Sequence, residues 1–180
     1  RQVVTTSARE MALVWEVSSG EPLPGELKHA GGVNRAIFSP DGRWIATAGD
    51  DGLARLWDGS TRQPTSVVLV HDGAVLALAF SPDSKFVATG SADHSARIWD
   101  SLSGAAVSPS LRHHDPVTRV VFGPLGHRLL TSSEDGTACI WRVADGERLA
   151  EPLRHKSAVE CAVFSPDGCR VATAGNDNIA

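Results

Sequence analysis

The stretch that decides the fold is His29 to Asp58, HAGGVNRAIFSPDGRWIATAGDDGLARLWD. It returns 42 residues later as HDGAVLALAFSPDSKFVATGSADHSARIWD, His71 to Asp100. Periodicity of this kind outranks every local signal, because each repeat is one structural unit. Trp15, Trp57, Trp99 and Trp141 stand 42 residues apart. Phe38, Phe80, Phe122 and Phe164 keep the same step, as do Pro40, Pro82, Pro124 and Pro166, and His29, His71, His113 and His155. Ala12, Ala54, Ala96, Ala138 and Ala180 carry it into a fifth unit. So many columns in register make the chain a tandem array.

Each unit reads as four short strands. Four residues after the histidine an apolar run opens: Val33–Phe38, Val75–Phe80, Val117–Phe122 and Val159–Phe164. Such runs fit strands covered on both faces. A tight turn follows at Ser39-Pro40-Asp41-Gly42, in which Pro presets φ and Gly supplies the left-handed residue. It recurs intact at Ser165-Pro166-Asp167-Gly168, without its glycine at Ser81–Ser84, and altered at Gly123-Pro124-Leu125-Gly126. A second strand begins at Trp44 and its equivalents, and a short turn holds Asp51, Asp93, Asp135 or Asp177. The third strand ends at the tryptophan, and a looser fourth ends at Leu27, Leu69, Leu111 or Leu153. Nothing has a helical period. Four-stranded units about 40 residues long predict an all-β protein of β-propeller blades.

Composition narrows the function. Lys+Arg of 17 against Asp+Glu of 21 gives a net charge of -4, without the basic excess of a nucleic-acid surface. The longest apolar stretch, Ala74 to Phe80, is far shorter than a membrane helix, so no membrane partner is expected. Cys139, Cys161 and Cys169 are too few and too irregular for a disulfide framework or a thiolate zinc site. They read as free thiols in a reducing, cytoplasmic setting. Histidines 42 residues apart fall on successive blades and cannot surround one metal ion, and His94 and His127 read as turn residues. No glycine motif cradles a phosphate, so no cofactor is expected. His, Thr and Asp do recur together as His29, Thr47, Asp51; His71, Thr89, Asp93; His113, Thr131, Asp135; and His155, Thr173, Asp177. A catalytic triad is needed once. A set repeated four times at the same strand positions is a fold signature, and the chain reads as non-enzymatic.

The histidine, the Phe-Ser-Pro-Asp-Gly turn, the aspartate turn and the endings Leu56-Trp57-Asp58 and Ile98-Trp99-Asp100 together resemble the WD-repeat β-propeller family over the whole chain. Departures are local. Lys28, Val70, Arg112 and Arg154 stand where the family has Gly before the histidine, Trp-Asp becomes Trp15-Glu16 and Trp141-Arg142, and Arg9 takes the turn-aspartate position. The resemblance implies a structural relay in each blade, in which Asp orients the imidazole, Thr bridges, and Trp57, Trp99 or Trp141 donates its indole N–H.

The expected organisation over residues 1–180 is a partial propeller of about four blades. An incomplete first blade spans 1–28, full repeats span 29–70, 71–112 and 113–154, and an incomplete last one spans 155–180. That makes seventeen strands and suggests a piece of a longer propeller. Val163, Val171 and Ala172 at one end, and Val3, Val4 and Val14 at the other, would favour self-association through open blade ends. Loops on one rim carry the residues that vary between repeats: Asn34, Leu76, Thr118 and Glu160; Arg35 and Arg119; and Asp50, Ala92, Glu134 and Asn176. These are the expected contacts for a protein or peptide partner on a rigid scaffold. The rival reading is the regulatory or sensor portion of a larger, kinase-like enzyme whose catalytic domain lies elsewhere.

Overall fold

A computed structural model of the chain describes residues 1–7 and 10–179, so Arg9 and Ala180 lie outside the described residues. The described residues form seventeen strands in five antiparallel sheets. The first sheet holds β1 (Gln2–Thr6), β2 (Met11–Glu16) and β3 (Leu27–Lys28). The second holds β4 (Val33–Phe38), β5 (Trp44–Gly49), β6 (Leu53–Asp58) and β7 (Pro64–Val70). The third holds β8 (Val75–Phe80), β9 (Phe86–Ser91), β10 (Ser95–Asp100) and β11 (Leu111–Arg112). The fourth holds β12 (Val117–Phe122), β13 (Arg128–Ser133), β14 (Thr137–Arg142) and β15 (Leu153–Arg154). The fifth pairs β16 (Val159–Phe164) with β17 (Val171–Gly175). Strands pair in chain order within every sheet, and β4, β8, β12 and β16 pack side by side as inner strands. The architecture is a partial propeller.

The hairpin turns follow from their residues. In the first of them the Ser39 hydroxyl donates to Asp41 Oδ1 at 2.6 Å and accepts the Trp44 N–H at 2.9 Å. Gly42 then turns the chain at φ 72°. Where the glycine is missing, Ser84 still adopts φ 62°. Its hydroxyl accepts the Asp41 N–H of the neighbouring blade at 3.2 Å, a contact glycine could not make.

The fourth strands differ from expectation in two ways. Each runs one residue past its leucine, and β3, β11 and β15 contain only two residues, whereas β7 has seven. Pro22, Pro24, Pro109 and Pro152 lie before the short ones and lack the N–H a ladder needs. Gln63-Pro64-Thr65-Ser66-Val67-Val68-Leu69-Val70 has one proline at its start and is then rich in β-branched residues.

The core lies between sheets. Ala46, Leu56, Val67 and Leu69 of the second sheet pack with Val75, Leu78, Val87 and Trp99 of the third. Ile98 and Leu111 of the third pack with Val117, Leu129 and Trp141 of the fourth. Val14, expected among exposed end residues, is fully buried against Leu27, Val33, Ile45 and Trp57, because it faces the second sheet and not the outer side. Val3 and Val163, on the outermost sheets, are exposed.

Candidate functional site

Each inner strand opens with an irregularity. Val33 pairs with Gly49 and Arg35 with Ala48, so Asn34 is an extra residue in its strand. The same slip falls at Leu76, Thr118 and Glu160. A bulge of this kind re-aims side chains and ends regular pairing. It delivers four unlike residues of the repeat to the rim that also carries the turns at Asp50, Ala92, Glu134 and Asn176.

Beneath the rim the relay residues meet. In the second sheet Trp57 Nε1 donates to Thr47 Oγ1 at 2.8 Å, and Thr47 Oγ1 lies 2.7 Å from His29 Nε2. His29 Nδ1 lies 2.9 Å from Asp51 Oδ1. The third sheet repeats this with Trp99, Thr89, His71 and Asp93 at 2.8, 2.7 and 2.8 Å. The fourth repeats it with Trp141, Thr131, His113 and Asp135 at 2.8, 2.7 and 3.2 Å, with Thr137 Oγ1 also near His113 Nδ1. His155, Thr173 and Asp177 are joined likewise. In the first sheet Trp15 Nε1 donates to Thr5 Oγ1 at 2.8 Å.

Proton counting sets the direction of this chain. An indole N–H can only donate, so the threonine hydroxyl accepts it and keeps a second lone pair and its own proton for other partners. At His71 and His113, where burial favours the neutral imidazole, an Nδ1–H that donates to the aspartate leaves Nε2 to accept the threonine proton. Burial pushes the His71 and His113 pKa values down, against the pull of Asp93 and Asp135. Burial also opposes ionisation of Asp93, but hydrogen bonds from Ser95 and His71 outweigh it and hold the carboxyl at about 2. The aspartates tie the two rim turns together: Asp51 accepts the Ala30 N–H from one and the Leu53 N–H from the other. Asp93 does the same for Asp72 and Ser95.

Two partners of the relay escaped the sequence reading. Arg55 reaches Asp51 at 3.3 Å, and Arg97 reaches Asp93 at 3.9 Å while lying over the Trp99 ring. Their signal was a cation four residues beyond the turn aspartate in two repeats.

The rim residues are only partly free. Asn34 donates to Asp50 at 2.7 Å and to the Val75 carbonyl at 3.1 Å, and Asn176 donates to Glu160 at 2.7 Å. Leu76 and Ala92 make the apolar counterpart on the third sheet, half-buried. Glu134 is exposed, and Thr118 is half-buried. Arg35, Thr118 and Arg119 line one cavity of about 140 Å³ beside the inner strands. Among the described residues no group of three or more His, Cys, Asp or Glu is placed to hold a metal, and no helix is long and apolar enough to cross a membrane.

The family described as WD domain, G-beta repeat (WD40) matches residues 23–58, 62–100, 107–142 and 146–180. No curated protein matches the chain. Among solved structures, the crystal structure of the computationally designed Ika8 protein superimposes with a TM-score of 0.84 at 27% identity. The match covers 98% of this chain and 53% of the designed one, so the chain spans about half of that protein's length.

Proposed function

We propose that this chain, which belongs to the WD40 repeat family, is a non-enzymatic platform that binds a protein or peptide on the rim formed by its inner-strand bulges. The carrying observation is the contrast between layers. The Trp–Thr–His–Asp chain repeats almost unchanged in three sheets, while the bulge above it presents an amide, a leucine, a hydroxyl and a carboxylate in turn. A scaffold that fixes its loops loses little ordering entropy on binding, so even modest contacts give useful affinity. Leu76, flanked by polar neighbours, supplies the apolar anchor; Arg35, Asp50, Thr118, Arg119, Glu134 and Glu160 supply polar selection.

Affinity capture from the source cell with the full chain tests this, using Leu76→Asp on the rim and Leu125→Asp on the exposed opposite turn as paired variants. Partners lost with the first variant and kept with the second support the rim. Equal capture by both overturns it. The reading also sets the protein in the cytoplasm, and includes self-association through the outermost sheets, on the strength of exposed Val3 and Val163. Light scattering on the chain addresses that part: a second copy doubles the mass, and a monomer removes it from the proposal.

A further inference from the structure

The residue after each bulge reads Arg35, Ala77, Arg119, Cys161 along the four inner strands. Two long cations therefore flank one small side chain, and the space left above Ala77 is the cavity that both arginines line. Val121, Ala162 and Val163 line it as well, together with Thr118. Neither guanidinium has a hydrogen bond or ion pair among the described residues. Three other arginines are ion-paired, Arg55 with Asp51, Arg97 with Asp93, and Arg142 with Asp145 at 2.9 Å. Arg62, Arg112 and Arg128 donate to backbone carbonyls, whereas exposed Arg154 and Arg170 have no ion pair among the described residues. Arg119 is also half-buried, where an unmatched charge is costly.

We propose that Arg35 and Arg119 form a clamp for one carboxylate, the Asp or Glu side chain of a docked peptide whose neighbouring residues are neutral or basic. The planar guanidinium suits a carboxylate, and the valines of the cavity strengthen the contact by excluding water. Charge around the cavity selects the class of partner. Asp50, Glu134 and Glu160 stand on the same rim, and the chain carries a net charge of -4. A polyanion such as a nucleic-acid strand would be repelled there, whereas a single acidic side chain passes between the acids and reaches the arginines. A basic neighbour in the peptide meets Glu134, whose carboxylate has no hydrogen bond or ion pair among the described residues. This rests on the rim reading above and gives its partner a chemistry.

Nuclear magnetic resonance on the isotopically labelled full chain tests the clamp through the arginine Nε–H signals at low salt. The probes are acetyl-Gly-Gly-Glu-Gly-Gly-amide, its Gln counterpart and an oligothymidine. The glutamate peptide is expected to shift the Arg35 and Arg119 signals, and the Gln peptide to leave them in place. Arg119→Gln should weaken the peptide roughly tenfold, as loss of a charge-assisted bond implies, and Arg170→Gln, the same change at the exposed turn before β17, should not weaken it. No shift, equal shifts with both peptides, or tighter binding of oligothymidine would overturn the clamp. The two readings fail separately. Protein capture that depends on Leu76, with arginines silent to the glutamate peptide, removes the clamp alone. A responsive pair of arginines on a rim that captures nothing removes the platform.

Discussion

Replacing Asp93 by alanine isolates what the buried relay contributes. Asp93 is only 6% exposed at its side chain, and it accepts from His71 Nδ1 at 2.8 Å, Ser95 Oγ at 2.6 Å and the Ser95 N–H at 2.9 Å. The Asp72 N–H at 3.2 Å comes from the other turn. Alanine leaves all four donors without their acceptor and strips Arg97 of its carboxylate, although Arg97 Nε is already buried without a partner. Leaving buried donors without their acceptor costs about 1–3 kcal/mol each, so a loss of a few kcal/mol is expected, a large fraction of the ~5–15 kcal/mol that holds a domain together. Asp83 is the control. It sits in an exposed turn and accepts from Ser81 Oγ and the Lys85 N–H, so Asp83→Ala should cost under about 1 kcal/mol. Urea melts at neutral pH compare the two. A loss at Asp83 equal to or larger than that at Asp93 would refute the relay's structural role.

Other consequences are equally concrete. Thr89→Val keeps the shape but leaves the Trp99 indole N–H and His71 Nε2 unpartnered, and should destabilise by about 2–4 kcal/mol in the same melts, from two orphaned buried groups; a neutral outcome would contradict the stabilising role of these bonds. Stability should also fall with acid in two stages. His71 and His113 have folded pKa values pushed below the ordinary histidine value, so below about pH 6.5 the unfolded chain binds protons first and the folded state loses ground. Asp93 and Asp177, held at about 2, add a second loss as pH falls from roughly 4 towards 2. For Asp177 the cause is the Lys156 N–H and then His155. Urea midpoints unchanged between pH 7.5 and 5.5 would rule out the first stage.

The propeller architecture was legible because a 42-residue step in several residue types at once admits one kind of unit. The members of the relay were legible for the same reason: His29, Thr47, Asp51 and Trp57 recur as a set. Strand length was not, since whether a fourth strand closes on its neighbour depends on where prolines remove donors, and in the segment ending at Val70 the proline stands at the strand's first residue. The bulges were hidden as well. A six-residue apolar run looks regular until its partner strand shows one residue too few, as Val33 and Arg35 against Gly49 and Ala48 do. The ties between Asn34 and Asp50 and between Glu160 and Asn176 did leave a trace, an amide and an acid that exchange places between the two columns. Val14 was misplaced because chain position says nothing about which face of a strand meets the next sheet.

The central claim, that a partner is held by the bulge rim, is tested most directly by hydrogen exchange on the full chain with and without its captured partner. Protection is predicted around Asn34, Leu76, Thr118 and Glu160 and in the turns at Asp50 and Glu134, with none at the opposite turns near Asp41, Asp83 and Leu125. Protection confined to those opposite turns, or to the outer strand Pro64–Val70, would contradict it.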